Sequence, residues 1–255
     1  MKVTFVGHST VLIELDGIRL LTDPMFRSRV LHIRRRVDPV EVEKLLGIDL
    51  ALISHVHHDH FDPRSLRMIA GGTTLVLPRE AGRLARRLGF DRVVELDESE
   101  STSFKGIDVR ATFADHRSGR LIHRGPRALG YLISGTQRIY FAGDTDIFPR
   151  MSSFPELDLA LLPVWGWGRH LGPGHLDPIR AAQALTLLRP RLAIPIHWGT
   201  LRSISLRNPR GPVPTEPARE FAHEAARLAP DTQVLVLAPG EAAVVESPFT
   251  SERAP

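Results

Sequence analysis

The chain has 255 residues, 42% hydrophobic and 24% charged, which matches an ordinary soluble globular protein and excludes disordered or fibrous architectures. Its 33 basic and 29 acidic residues give a formal charge of +4, and the basic residues are nearly all Arg, with Lys only at Lys2, Lys44 and Lys105. So small an excess does not call for a nucleic-acid partner, and the absence of Cys excludes disulfides and thiolate metal ligands. The N-terminal residues run directly into a strand-like segment without the apolar region of a signal peptide. No apolar run approaches the roughly 20 residues of a membrane helix. A cytoplasmic protein is the expectation.

In chain order, Val3–Val6, Val11–Leu15 and Ile18–Leu21 read as antiparallel strands, the last two separated by the turn signal Asp16-Gly17. A basic connection follows, with Arg27, Arg29, Arg34, Arg35 and Arg36. Asp38-Pro39 has the form of a helix start, with Asp as N-cap and Pro at the first helical position. Leu50–Ser54 and Thr74–Leu77 read as buried strands, and Pro63–Ala70 and Arg79–Leu88 as helices. Further strands are expected at Ile107–Phe113, Leu129–Ser134, Arg138–Ala142, Leu157–Val164, Leu192–Ile196 and Val234–Leu237. A helix begins at Asp177-Pro178, with Ala181, Ala184, Leu185 and Leu188 on one face. Another runs from Thr215-Glu216-Pro217 to Leu228. Two strand-rich halves with interspersed helices predict an α/β layered fold with two sheets packed face to face. One domain over residues 1–245 and a frayed tail over 246–255 are expected.

The chemistry concentrates in Ser54-His55-Val56-His57-His58-Asp59-His60, four candidate ligands within six residues directly after an apolar strand. A lone His is more often a surface residue than a ligand, but such a cluster is far more informative. Imidazole and carboxylate at this density suit zinc or another divalent transition metal. Chain leaving a strand fans alternate side chains, so His55 and His57 can share one ion. Asp59 and His60 then point to a second, and His58 faces away. Three more apolar strands lead to Asp115-His116, Gly143-Asp144-Thr145 and His197-Trp198-Gly199. Loops at one edge of layered sheets converge on a site. The expected partition is His55, His57 and His116 on one metal and Asp59, His60 and His197 on the other. Asp144 bridges them, with room for a shared water.

His55-x-His57-x-Asp59-His60, His116, Asp144 and His197, in this order, resemble the motif set of the metallo-β-lactamase superfamily. The resemblance spans roughly residues 3–200. It implies an αββα sandwich of two mixed sheets with helices outside, and a dinuclear hydrolase holding two divalent metals, zinc first, with Mn2+ or Fe2+ as alternatives. It also implies that Asp23, in Leu21-Thr22-Asp23-Pro24, orients a metal-binding His without touching metal. Gly7-His8-Ser9-Thr10-Val11-Leu12-Ile13-Glu14, Gly174-His175-Leu176-Asp177-Pro178 and Ile196-His197-Trp198-Gly199-Thr200 carry a closer resemblance. They are similar to the branch containing the N-acyl phosphatidylethanolamine-hydrolysing phospholipase D enzymes, with the bacterial ascorbate phosphate lactonases more distant. The superfamily's processing nucleases usually carry a Gly-Leu pair after the metal motif; here Phe61-Asp62-Pro63 follows.

These features predict hydrolysis of phosphodiester, phospholipid-like substrates by a metal-activated water. A lactonase or carboxyl-ester hydrolase is the alternative on the same centre, and a non-catalytic metal-binding sensor is a third reading. Asp59 is expected to orient the nucleophile and His175 to contact substrate or protonate the leaving group. For His175 the plain alternative is a solvent-exposed residue near a helix start. His8 reads as either pocket lining or a structural hydrogen-bonding group. Trp165 and Trp167 read as either an aromatic substrate wall or loop packing. The partner expected is an anionic small-molecule or lipid-like substrate. Arg27–Arg36 offers contact with such a substrate or a membrane surface, although a solvated basic loop is the plainer reading. Nothing in the sequence fixes the oligomeric state.

Overall fold

The computed structural model describes residues 1–116, 126–167, 172–204 and 213–246. In chain order the strands are β1 (Lys2–Gly7), β2 (Thr10–Leu15), β3 (Ile18–Thr22), β4 (Arg29–Val30), β5 (Ile33–Arg35), β6 (Leu50–Leu52), β7 (Thr74–Pro78), β8 (Arg92–Leu96), β9 (Ser101–Phe104), β10 (Ile107–Phe113), β11 (Leu129–Ser134), β12 (Arg138–Phe141), β13 (Leu159–Pro163), β14 (Leu192–Ile196), β15 (Leu201–Ser203), β16 (Gln233–Val234) and β17 (Ala242–Val244). The helices are α1 (Pro63–Ile69), α2 (Gly82–Arg86), α3 (Pro178–Leu188) and α4 (Glu216–Leu228).

Two seven-stranded sheets carry the fold, in the orders β17-β1-β2-β3-β6-β7-β8 and β16-β14-β13-β12-β11-β10-β9. Each mixes antiparallel and parallel pairs, as in the antiparallel β1–β2–β3 run that continues into the parallel β3–β6 pair. The alternation of side chains along a strand explains the layering. Leu50 and Leu52 of β6 enter the central core with Val109, Tyr131 and Leu161 of the second sheet. The intervening Ala51, with Ile53 beyond the strand, packs outward against Leu66, Ile69 and Ala85 of α1 and α2. The face of α3 bearing Ala181, Ala184, Leu185 and Leu188 is buried against the second sheet, together with Phe221 and Ala225 of α4. This is the αββα sandwich that the motif order implied.

Helix starts follow local chemistry. Asp62 caps α1 by accepting from Ser65 N, and Asp177 caps α3 by accepting from Arg180 N; both helices have Pro at the first position. Three expectations need correction. Asp38-Pro39 starts no α-helix. One 3-10 turn forms at Val42–Leu45 instead, and the Asp38 carbonyl accepts from Arg35 Nε. The helix expected over Arg79–Leu88 is confined to Gly82–Arg86, because Glu80 sits at φ +74°, outside helical space. The closing strand reaches only Val234. Leu235 N still bonds Ala193 O, then the chain crosses to the first sheet, where Gly240 N donates to Phe5 O. Past Glu246, the tail read as frayed lies outside the described residues. Among the described residues, no helix is long and apolar enough to cross a membrane.

The C-terminal ends of β1, β3, β6, β10, β12 and β14 gather at one edge of the sandwich and deliver His8, Asp23, the His55–His60 loop, His116, Asp144 and His197. The turn from β12 to Asp144 passes through Gly143 at φ +59°, where an added Cβ would collide with the Ser54 side chain. Gly143→Ala should therefore combine left-handed strain with overpacking. The expected loss is about 2–4 kcal/mol of stability, read by chemical denaturation. An unchanged denaturation midpoint would show that this turn tolerates the side chain.

Candidate metal centre

Four groups of metal-ligating side chains meet at the strand ends. They are His55, His57 and His116; His8, Asp59, His60 and His197; His55, His60 and Asp144; and His116, Asp144 and His175. The first two groups reproduce the two expected trios, with His8 added to the second. Asp144 lies between them. Its Oδ2 is 3.3 Å from His60 Nε2 and 3.9 Å from His55 Nε2, and its Oδ1 is 3.2 Å from His197 Nε2. His58 is exposed and belongs to none of the groups.

Hydrogen bonds behind the rings fix which nitrogen faces inward. His60 Nδ1 is 2.7 Å from Asp23 Oδ2, His197 Nδ1 is 2.6 Å from Trp165 O, and His116 Nδ1 is 3.0 Å from Gly174 O. These acceptors have no proton to give, so each Nδ1 carries the hydrogen. Ser54 Oγ donates to Asp23 Oδ2 at 2.6 Å and therefore accepts from His55 Nδ1 at 3.0 Å. The Nε2 atoms of His55, His60, His116 and His197 are thus all turned into the site. His60 Nε2 and His197 Nε2 lie 3.1 Å apart. His57 Nδ1 lies 2.9 Å from His55 Nε2 and 3.2 Å from His116 Nε2, and one proton on it can satisfy only one of them. Asp144 Oδ1 is buried and makes no hydrogen bond, since its neighbour His197 Nε2 has no hydrogen to donate. Lone pairs converging on an orphaned carboxylate oxygen are a donor set that fits divalent cations.

The electrostatics agree. Burial penalises the charge on Asp144, yet His197 and His60 outweigh it and hold its carboxyl well below the usual range. Asp59 behaves likewise under His60, His8 and His197. Burial, reinforced by neighbouring imidazoles, lowers His57 to about 4 and His197 to about 3, so both rings remain neutral near pH 7. His60 is the exception: burial lowers it, but Asp144, Asp59 and Asp23 together raise it well above its ordinary value. The cluster of carboxylates calls for positive charge at this point.

The other expected residues also fall at the site. Asp23 is fully buried, accepts from Ser54 N at 2.7 Å and reaches the ligand set only through His60 and Ser54. His175 Nε2 is 3.5 Å from Asp144 Oδ2, with its ring 4.7 Å from that of His116 and its side chain partly open to solvent. His8 has no exposed surface, so it walls no open pocket. Its Nε2 is 3.0 Å from Asp59 Oδ2 and its ring lies 3.9 Å from that of His197. Trp167 Nε1 donates to the same Asp59 oxygen at 3.1 Å, whereas Trp165 packs against the central core and offers its carbonyl to His197. His8, Asp23 and His197 all have positive φ, at +57°, +33° and +63°. Strain of this kind persists where the surroundings over-determine the backbone. Sequence reasoning passed over Ser54 as a bridge between Asp23 and His55; a hydroxyl immediately preceding the first motif His was its only signal.

A model of the β-lactamase superfamily domain matches residues 18–198. Uncharacterised proteins of Mycobacterium tuberculosis are 32% identical over 224 residues, covering 79% of this chain, which spans 59% of their length. A UPF0173 metal-dependent hydrolase of Methanopyrus kandleri is 31% identical over 250 residues, 94% of this chain and 98% of its own. The N-acyl-phosphatidylethanolamine-hydrolyzing phospholipase D 1 of Caenorhabditis elegans is 29% identical over 229 residues, 77% of this chain and 63% of its own. Two solved structures share the fold. A metallo hydrolase of Ignicoccus hospitalis has a TM-score of 0.71 at 24% identity, covering 95% of this chain and 97% of that one. An isothiocyanate hydrolase from Delia radicum gut bacteria has a TM-score of 0.74 at 22% identity, covering 97% and 100%. The chain belongs to the β-lactamase superfamily, alongside the UPF0173 metal-dependent hydrolases.

Proposed function

We propose that the chain is a dinuclear metal-dependent hydrolase of phosphodiesters. The observation that carries this reading is the convergence of inward-facing imidazole nitrogens in two trios on either side of Asp144. In this assignment His55, His57 and His116 hold one cation, Asp59, His60 and His197 hold the other, and Asp144 is shared. Five imidazoles and two carboxylates suit zinc, with manganese or iron as alternatives. Divalent cations held by these residues would supply the chemistry of an acidified water nucleophile and a polarised scissile bond.

The protein's part is to orient and to move protons. His8 and Trp167 place two donors on Asp59 Oδ2 and fix the carboxylate's direction. Asp23 fixes His60 through Nδ1. His175, partly open beside Asp144, is placed to contact substrate and to deliver a proton to the leaving oxygen. The phosphodiester preference draws support from the relative named as a phospholipase D.

Zinc-reconstituted protein should hold two equivalents of metal by elemental analysis. Asp144→Ala should lower both occupancies, whereas His116→Ala should empty one first. A single tightly held metal would refute the dinuclear assignment. Asp23→Asn keeps the shape but withdraws the full acceptor charge from His60, and should reduce metal affinity by about 10–100-fold in a competitive chelator titration. His175→Ala should retain both metals and lose about 10²–10⁴-fold in turnover of an activated phosphodiester. Near-normal turnover would return His175 to a packing role. Lactones and carboxyl esters run beside the phosphodiesters decide the bond type.

A further inference from the structure

The β4–β5 hairpin turns through Leu31 and His32, and Leu31 is 61% exposed at φ +47°. That backbone suits Gly or Asn, and a two-residue hairpin turn ordinarily carries them. Beneath the tip, Val30 and Ile33 pack with Met25 and Leu201 in an apolar cluster of their own, with Trp167 against it. The His32 and Trp167 rings meet edge to face at 4.9 Å, Ser203 N donates to Trp167 O at 2.9 Å, and Ile204 N donates to His32 O at 2.8 Å. Hairpin and indole therefore stand as one unit over the metal centre.

Between them lies a cavity of about 180 Å³. Its walls include Val30, Leu31, Ile33 and Trp167, and its floor includes His57 and Asp59, one candidate ligand from each trio. The polar edge of the indole is engaged by Asp59, so Trp167 offers the cavity carbon surface. Whole-ligand pockets usually measure about 300–1,000 Å³. This one holds a single short arm. An exposed Leu in a strained turn, beside a cavity opening onto both trios, is the kind of local cost that persists where it serves a site.

We propose that this cavity binds a short hydrocarbon arm, alkyl or aryl, attached next to the scissile group of the substrate. The assignment rests on the hydrolase reading above and narrows its substrate class: an anionic ester with one short apolar arm beside the reacting centre.

The test is calorimetric titration of the zinc-loaded protein with n-alkylphosphonates from methyl to octyl, which bind without turnover. Affinity should rise about fourfold per methylene over the first several carbons and then level off as the chain emerges into solvent. Leu31→Asn suits the backbone, so its melting temperature should stay level or rise. That variant should bind methylphosphonate within about twofold of the parent and lose about tenfold of the hexyl advantage. Leu31→Met should preserve the slope. A flat chain-length series, or a slope untouched by Leu31→Asn, would overturn the assignment. If no phosphonate binds at any length, the phosphodiester reading falls, and acetate through octanoate replace the series under the same criteria. A rising carboxylate slope that Leu31→Asn abolishes would then uphold the cavity on its own, and a flat one would overturn it.

Discussion

The Asp23 carboxylate is the contact on which the centre depends. It is fully buried at the end of β3, beside β6, whose end leads into the His55–His60 loop. One oxygen accepts from Ser54 N, and the other accepts from Ser54 Oγ and His60 Nδ1. Burial raises its pKa above the ordinary carboxylate value, and His60 and Ser54 offset only part of that rise. One group thereby anchors the start of the His55–His60 loop, sets the tautomer of His60 and, through Ser54, that of His55. Its own backbone is held as well: Asp23 N donates to Leu52 O, and Asp23 O accepts from Thr10 Oγ1. A single carboxylate thus transmits the register of β2, β3 and β6 into the direction of two lone pairs.

A site built this way conflicts with itself without cations. The Nε2 atoms of His55, His60, His116 and His197 face inward around the Asp144 carboxylate, and the Nδ1 protons of these rings are committed to Asp23, Ser54, Gly174 and Trp165. Buried like partial charges at 3.1 Å are unfavourable, and a buried carboxylate oxygen with no partner is costly. A proton on His60 relieves part of this, which is why that ring is drawn toward its charged form. One proton cannot serve both trios. The same hydrogen bonds that crowd these groups together give them an arrangement that suits divalent cations.

The pattern of what the sequence disclosed follows from these physics. Candidate ligands at strand ends were legible because strand-like segments leading to His or Asp recur four times, before His55, His116, Asp144 and His197. The start of α3 was legible because Asp177-Pro178 sets both cap and first turn locally, whereas the same pair at Asp38-Pro39 starts no α-helix. The small sheet was not. β4, β5 and β15 are two or three residues long, Arg-bearing and drawn from segments more than 160 residues apart, so no periodicity marks them. β8 and β9 were missed for a related reason, since both mix polar and apolar residues with few fully buried positions. The two donors on Asp59 come from residues 8 and 167, and only the closed fold brings them together.

This division has a chemical meaning. The candidate metal-binding groups stand at the ends of strands inside the two large sheets, where neighbouring strands on both sides hold each backbone in place. The walls of the adjoining cavity stand on a three-stranded flap with its own apolar cluster, separate from the central core. Side chains there can change without disturbing the sheets that aim the imidazoles. Trp167 belongs to both parts: its ring packs on the flap and its N–H rests on Asp59. A ligand that displaces the flap must therefore also strain or break a hydrogen bond to a carboxylate of the second trio. Occupancy of the cavity and the direction of Asp59 are linked through that single bond, so binding of the apolar arm and alignment of the reacting centre are coupled by construction.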